Sequence, residues 1–164
     1  MKVFIGGSIN IKYLDYEVQD ELDKIMQGEL DILVGDAYGV DSLIQKYCYE
    51  NGYDNVKIYA SNSKARNNIG GWKVEAVNIS SFLTGRDFYT QKDIEMNAVC
   101  DYGFMIWDGK SKGTLANIER LIMYGKGCKV YLSEKRRMTD INDLKDFKNL
   151  RRKYNERVNY YHFH

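Results

Sequence analysis

The 164-residue chain has no proline, three cysteines and only two histidines. Without proline to preset a turn, its loops must turn on Gly, Asn and Asp. Cys48, Cys100 and Cys128 are odd in number, widely spaced and form no CxxC pair. They read as buried thiols of a reducing compartment rather than as a zinc site, so a cytoplasmic protein is expected. His162 and His164 lie in the terminal tail and are poor candidates for chemistry. No metal is expected. No apolar run approaches the ~18 residues of a membrane span, and no membrane partner is expected. Met1-Lys2 leads straight into Val3-Phe4-Ile5 with no h-region or cleavage site, so a signal peptide is not expected either.

What is present is an ordinary globular balance, 44% hydrophobic and 29% charged. One domain of this length can bury a full core without staples. The net charge of +1 is unevenly spread, because the segment from Lys129 onward carries +5 and the first 128 residues −4. A basic tail can signal nucleic acid. The run KDFKNLRRKYNER mixes both signs, however, and reads as a solvated helix face, so a nucleic-acid partner is not expected. Fourteen tyrosines in a short chain favour a homo-oligomer.

Along the chain, short apolar runs alternate with segments of helical periodicity. Strands are expected at Lys2–Ile5, Leu30–Val34, Val56–Ala60, Tyr102–Trp107 and Cys128–Leu132. Trp72–Val77 reads as a strand or an extended crossing. Helices are expected at Asp15–Gln27, Val40–Asn51, Thr90–Cys100 with Thr90 as N-cap, Gly113–Tyr124 and Asp140–Arg157. Ser61–Gly71 reads as a long loop, and Tyr160–His164 should fray. The pattern predicts an α/β fold: a Rossmann-like, doubly wound parallel sheet of about five strands in a three-layer sandwich, with an extra C-terminal helix. Residues 1–133 form the expected nucleotide-binding domain, and 134–164 a charged helix and tail packed on it.

Ligands of such sheets sit beyond the carboxyl ends of the strands, at the switch in strand order. Three strand ends are candidates. Gly6-Gly7-Ser8 permits close approach to the backbone and offers a hydroxyl. No GxGxxG follows it, so the conventional dinucleotide fingerprint is absent, and no cofactor is expected. In GDAYGVD, Gly35 to Asp41, Gly39 turns into a helix, while Asp36 is a candidate acid or cap. Asp41 is a candidate cap or ribose ligand. In WDGKSKGT, Gly109 and Gly113 flank Lys110, Ser111 and Lys112 behind Asp108, and Thr114 opens a helix. Free N–H groups, lysines and hydroxyls there suit an anion. The order is not that of a P-loop. The loop after the third strand adds Arg66, suited to bidentate phosphate contact, with Asn67 beside it. TQKDIEM places Lys92, Asp93 and Met96 within about a turn, with Lys92 and Met96 on one face. Chain direction puts the first turn of that helix on the ligand edge, with Arg86 and Tyr89 nearby and Lys92 as an exposed helix lysine.

These motifs, in this order, resemble the SLOG superfamily, whose Rossmann-like nucleotide-binding members include lonely-guy phosphoribohydrolases and the DNA-processing protein A domain. The resemblance covers roughly residues 1–133 and is closest to small standalone bacterial and phage members. It implies binding of a nucleotide or nucleotide-derived signal, as a sensor or sequestering protein in bacterial and phage conflict, including antiphage defence. Phosphate would meet Ser8, Arg66, Lys110, Ser111 and Thr114, with Asp41 and Asn117 reading ribose or base. The alternative is an N-glycosidic hydrolase or transferase acting on a nucleoside monophosphate. Lonely-guy enzymes place a glutamate three residues after Gly-Thr, where this chain has Asn117. Glu119 lies two residues further, about 200° around a helix, and is a poor substitute. The catalytic residue is thus unknown, with Asp36 and Asp93 as candidates and Glu95 as a further nearby acid. The loss of that glutamate favours a binder over a hydrolase.

Overall fold

A computed structural model describes residues 1–62, 64–78 and 82–163, with side chains described up to residue 155 in the last helix. The elements run β1 (Lys2–Gly7), α1 (Tyr16–Gln27), β2 (Asp31–Gly35), α2 (Val40–Glu50), β3 (Val56–Ser61) and β4 (Lys73–Val77). They continue as α3 (Gly85–Val99), β5 (Tyr102–Trp107), α4 (Lys112–Met123), β6 (Cys128–Leu132), β7 (Arg137–Ile141) and α5 (Leu144–Phe163). The sheet order is β4-β3-β2-β1-β5-β6-β7, parallel throughout except for the antiparallel β6–β7 pair.

Successive side chains of a strand point to opposite faces. Val3 and Ile5 of β1, with Ile32 and Val34 of β2, therefore pack against Val18, Leu22 and Ile25 of α1 and Val40, Ile44 and Cys48 of α2. Phe4, Leu33, Met105 and Val130 face the other way, against Met96 of α3, Ile118 and Leu121 of α4, and Phe147 and Leu150 of α5. Each large side chain so buried contributes roughly 1.5–3 kcal/mol. Both faces of the central strands are covered, and the fold is the Rossmann-like α/β sandwich with an added C-terminal helix.

Seven strands replace the five expected. Lys73–Val77 pairs in parallel with β3 as an edge strand, half-exposed along its length. The second addition, β7, begins in charged sequence and overlaps the start of the expected last helix. It forms because residues 133–136 turn the chain back along β6, with Arg136 at φ 48°. In α3 the helix starts at Gly85, five residues before the expected Thr90 cap; Thr90 instead donates to the Arg86 carbonyl at 2.7 Å. α5 runs on to Phe163, while His164 and the side chains of the expected frayed end lie outside the described residues. All three cysteines are free and buried. Among the described residues, no helix is long and apolar enough to cross a membrane.

Candidate functional site

The strand order reverses direction between β1 and β5, which pair with each other while β2 and β6 lie outside them. At the carboxyl end of that junction opens a cleft of about 530 Å³, the position where ligands of such sheets bind. Its walls come from the ends of β1, β2 and β5, the first turns of α3 and α4, and the Arg66 loop.

The glycines at the strand ends serve different purposes. Gly6 lines the cleft. Gly7 is demanded by packing, because a Cβ there would stand 2.2 Å from the Ile106 carbonyl oxygen. Gly39 has φ 75°, and a Cβ would meet the Ile9 carbonyl oxygen at 2.4 Å, so it serves the turn. Gly109, at φ 76°, lies outside the cleft, on the wall of a neighbouring pocket.

The loop from Asp108 to Thr114 is largely satisfied from within. Asp108 Oδ1 accepts from Ser8 Oγ at 3.1 Å and from the N–H groups of Lys110 and Ser111 at 2.9 and 2.8 Å. Ser8 is fully buried beneath this loop, and its hydroxyl also accepts from the Asp108 N–H. Ser111 is the N-cap of α4, its hydroxyl accepting from the N–H and the hydroxyl of buried Thr114. The hydroxyls of Ser8, Ser111 and Thr114, expected to meet an anion, and the amides of Lys110, Ser111 and Thr114 are thus engaged inside the protein. What lines the cleft is Lys110, Lys112 and Gly113, where a Cβ would meet only the Ser111 hydroxyl at 4.0 Å, and the first-turn N–H groups of α4 that the cap leaves over.

A charged cluster forms the opposite wall. Asp36 is buried and accepts from Arg66 twice, from its backbone N–H at 2.8 Å and from Nη2 at 2.9 Å. The guanidinium also lies 4.0 Å from the Tyr89 ring centroid, so it is fixed on a face and an edge while one-third exposed to the cleft. Burial opposes its charge most strongly, but the hydrogen bond to Asp36 and the negative charges of Asp36 and Asp41 together outweigh it and raise its pKa. Asp36 itself does not line the cleft; it positions Arg66.

Lys92, expected as an exposed helix lysine, is 4% exposed. It lies 3.0 Å from Asp93 Oδ1 and 4.0 Å from Asp41 Oδ2. Burial disfavours its ammonium, yet the carboxylates of Asp93 and Asp41 together hold its pKa above the ordinary value. Burial also pushes the Asp41 carboxyl up to about 6, against the pull of Lys92. Gly35 lies beneath this pair. Asp93 accepts from Asn117 Nδ2 at 3.2 Å, and the Asn117 carbonyl oxygen accepts from Asn97 and Arg120. Asn97 and Asn117 are both buried.

Of the sequence candidates, the cleft therefore gathers Gly6, Gly7, Asp41, Arg66, Lys92, Asp93, Asp108, Lys110, Ser111, Gly113, Thr114 and Asn117, with Arg86 and Tyr89 beside them. Met96 faces the core, fully buried. Asn67 turns away to donate to Ser42 Oγ at 2.6 Å. Glu95 and Glu119 are exposed outside the cleft. Sequence reasoning missed Gln45, which is fully buried and donates to the carbonyls of Gly35 and Asn67 while accepting from the Ile69 N–H. It ties the Arg66 loop to the end of β2. A glutamine at a core-facing helix position was the available signal.

No family model and no curated protein matches the sequence. Among solved structures, the chain is similar to DNA processing protein A from Helicobacter pylori, with a TM-score of 0.60 and 18% identity over 79% of this chain. The match spans 64% of that protein, and the similarity is one of fold. That structure is described by its unique single-stranded DNA binding mode, which overturns the expectation that set nucleic acid aside as a partner. The mixed-charge tail is the ground for that expectation, whereas the similarity to the DNA-binding protein is one of fold.

Proposed function

We propose that the cleft binds the phosphorylated part of a nucleotide. The observation that carries this reading is the placement, at the switch point, of the α4 N-terminus with Lys110 and Lys112 opposite the fixed guanidinium of Arg66. Cations on two walls and unengaged helix amides between them suit a phosphate. Asp41, Asp93 and Asn117 then line the remaining wall as acceptors for ribose hydroxyls or base amino groups. A sensor or sequestering role for a nucleotide-derived signal, as the SLOG resemblance implies, fits a cleft to which α4 presents Asn117 and no glutamate. The N-glycosidic alternative would draw on Asp41 and Asp93, the two acids of the charged wall that line the cleft.

A second reading has its own support. A depression of about 380 Å³ adjoins the cleft through Asn10, Asp108 and Lys110 and carries Lys12 and the exposed Tyr13. Lys12 and Lys110 stand near Tyr13 in this depression, beside the carboxylates of Asp15, Asp108 and Glu134; an exposed aromatic ring flanked by lysines suits a single strand, whose bases stack without regard to sequence. The DNA-binding relative points the same way.

Calorimetry of the full chain with adenosine, AMP, ADP, ATP and a short oligothymidylate at two salt concentrations tests both. The mononucleotide reading expects AMP to bind and adenosine to bind far more weakly. The strand reading expects the oligonucleotide to bind tightest, with a steep loss at higher salt. No binding of any of these at millimolar concentration overturns both.

A further inference from the structure

On the far side of the Asp108–Lys110 loop lies another pocket, of about 420 Å³, between the β6–β7 turn and α5. It shares only Asp108 with the cleft. Its volume falls in the range of small-molecule sites. Trp107, Leu132, Leu150 and Tyr154 provide apolar walls. The two aromatic rings are 5.4 Å apart and tilted at 46°. Both are held in place by the same loop, Trp107 Nε1 donating to the Ser111 carbonyl at 2.9 Å and the Tyr154 hydroxyl to the Lys110 carbonyl at 3.0 Å. The polar atoms of both rings are thus engaged by the loop, which leaves the aromatic lining apolar.

The rim supplies charge. Lys135 and Lys153 are exposed there, and neither makes an ion pair with a described residue. The acids on the same rim are engaged: Asp108 by three donors, and Glu134 by a partner of its own. Apolar walls with fixed aromatic rings, under two exposed ammonium groups that have no ion pair among the described residues, complement a flat ring that carries a negative charge.

We propose that this pocket is a second small-molecule site, which takes a planar aromatic ring bearing one anionic group. It stands apart from the nucleotide cleft and does not rest on that reading.

The test is a fluorescence titration of the full chain with 1-anilinonaphthalene-8-sulfonate, an aromatic anion. Uncharged N-phenyl-1-naphthylamine serves as the comparison. The expected result is saturable binding of one sulfonate per chain, with the uncharged probe roughly tenfold weaker. The double variant Lys135→Glu/Lys153→Glu, at two exposed positions, should weaken the sulfonate by at least about tenfold, with an unchanged circular dichroism spectrum. Lys112→Ala, which alters the cleft, should leave it unchanged. Absence of saturable binding, equal affinity for both probes, full affinity in the double variant, or loss in Lys112→Ala would each overturn the proposal.

Discussion

Gly35 lies directly under the ion pair of Lys92 and Asp41: a Cβ on Gly35 would stand 2.6 Å from Lys92 Nζ and 2.4 Å from Asp41 Oδ2. The end of β2 has no side chain so that two charged groups from different helices can meet above it. Gly35→Ala must displace one of them. We expect a loss of about 1–3 kcal/mol in stability, the usual cost of overpacking, measured as a lower urea midpoint at unchanged slope.

Lys92→Met removes the one cation that, among the described residues, is ion-paired to both Asp41 and Asp93. Breaking a buried pair by deleting one partner costs about 3–5 kcal/mol, far above the few tenths of an exposed helix lysine. Chemical denaturation of the variant reads this directly. A cost under about 0.5 kcal/mol would mean that the ammonium is solvated, as the sequence alone suggests.

Asp41 gives a pH dependence with a defined sign. Its carboxyl is raised from 3.8 to about 6 in the folded protein, mainly by burial, so between these values the folded state holds a proton that the unfolded state has lost. Its contribution to stability is fully present below pH 4 and is lost as pH rises through 6. Between pH 4 and 6 the wild type should therefore lose stability relative to Asp41→Asn as pH rises. The difference of their denaturation midpoints across that window measures it, and a flat difference would contradict the assignment.

Arg66 is held by a two-point contact with Asp36 and by the Tyr89 ring. Lysine cannot reproduce the planar fork. Arg66→Lys should weaken a phosphorylated nucleotide by about tenfold, while adenosine, which lacks the phosphate, should show no change. Competition calorimetry with both ligands separates the two.

The sheet is legible in the sequence because its central strands are buried on both faces and read as unbroken apolar runs, as in Tyr102–Trp107. The edges are not. Arg137–Ile141 buries only Ile141 fully, and its charges fit a strand exposed on one side as well as a helix start. The start of α3 is hidden for a related reason: its buried positions are Lys92, Met96 and Asn97, so the face toward the protein is polar and the periodicity weak. In the site, spacing places the three strand ends together, since β–α connectivity puts every carboxyl end on one edge. Asp108 engages the amides of Lys110 and Ser111 in a local turn, a known habit of aspartate that competes with its reading as a ligand. Spacing cannot show that Ser8 lies beneath that turn, which depends on a contact across about a hundred residues of chain. Tyr154 and Trp107 carry no sequence signal of their meeting for the same reason.

Amide chemical-shift mapping of the ¹⁵N-labelled chain with AMP reads out whether a nucleotide phosphate binds at the first turn of α4. Phosphate there gives the largest saturable shifts at the amides of Lys112 and Gly113, smaller ones at Ala37 and Arg66, and little change at Lys135 and Lys153. Saturable shifts confined to residues outside the cleft, or none at millimolar AMP, would contradict phosphate binding there.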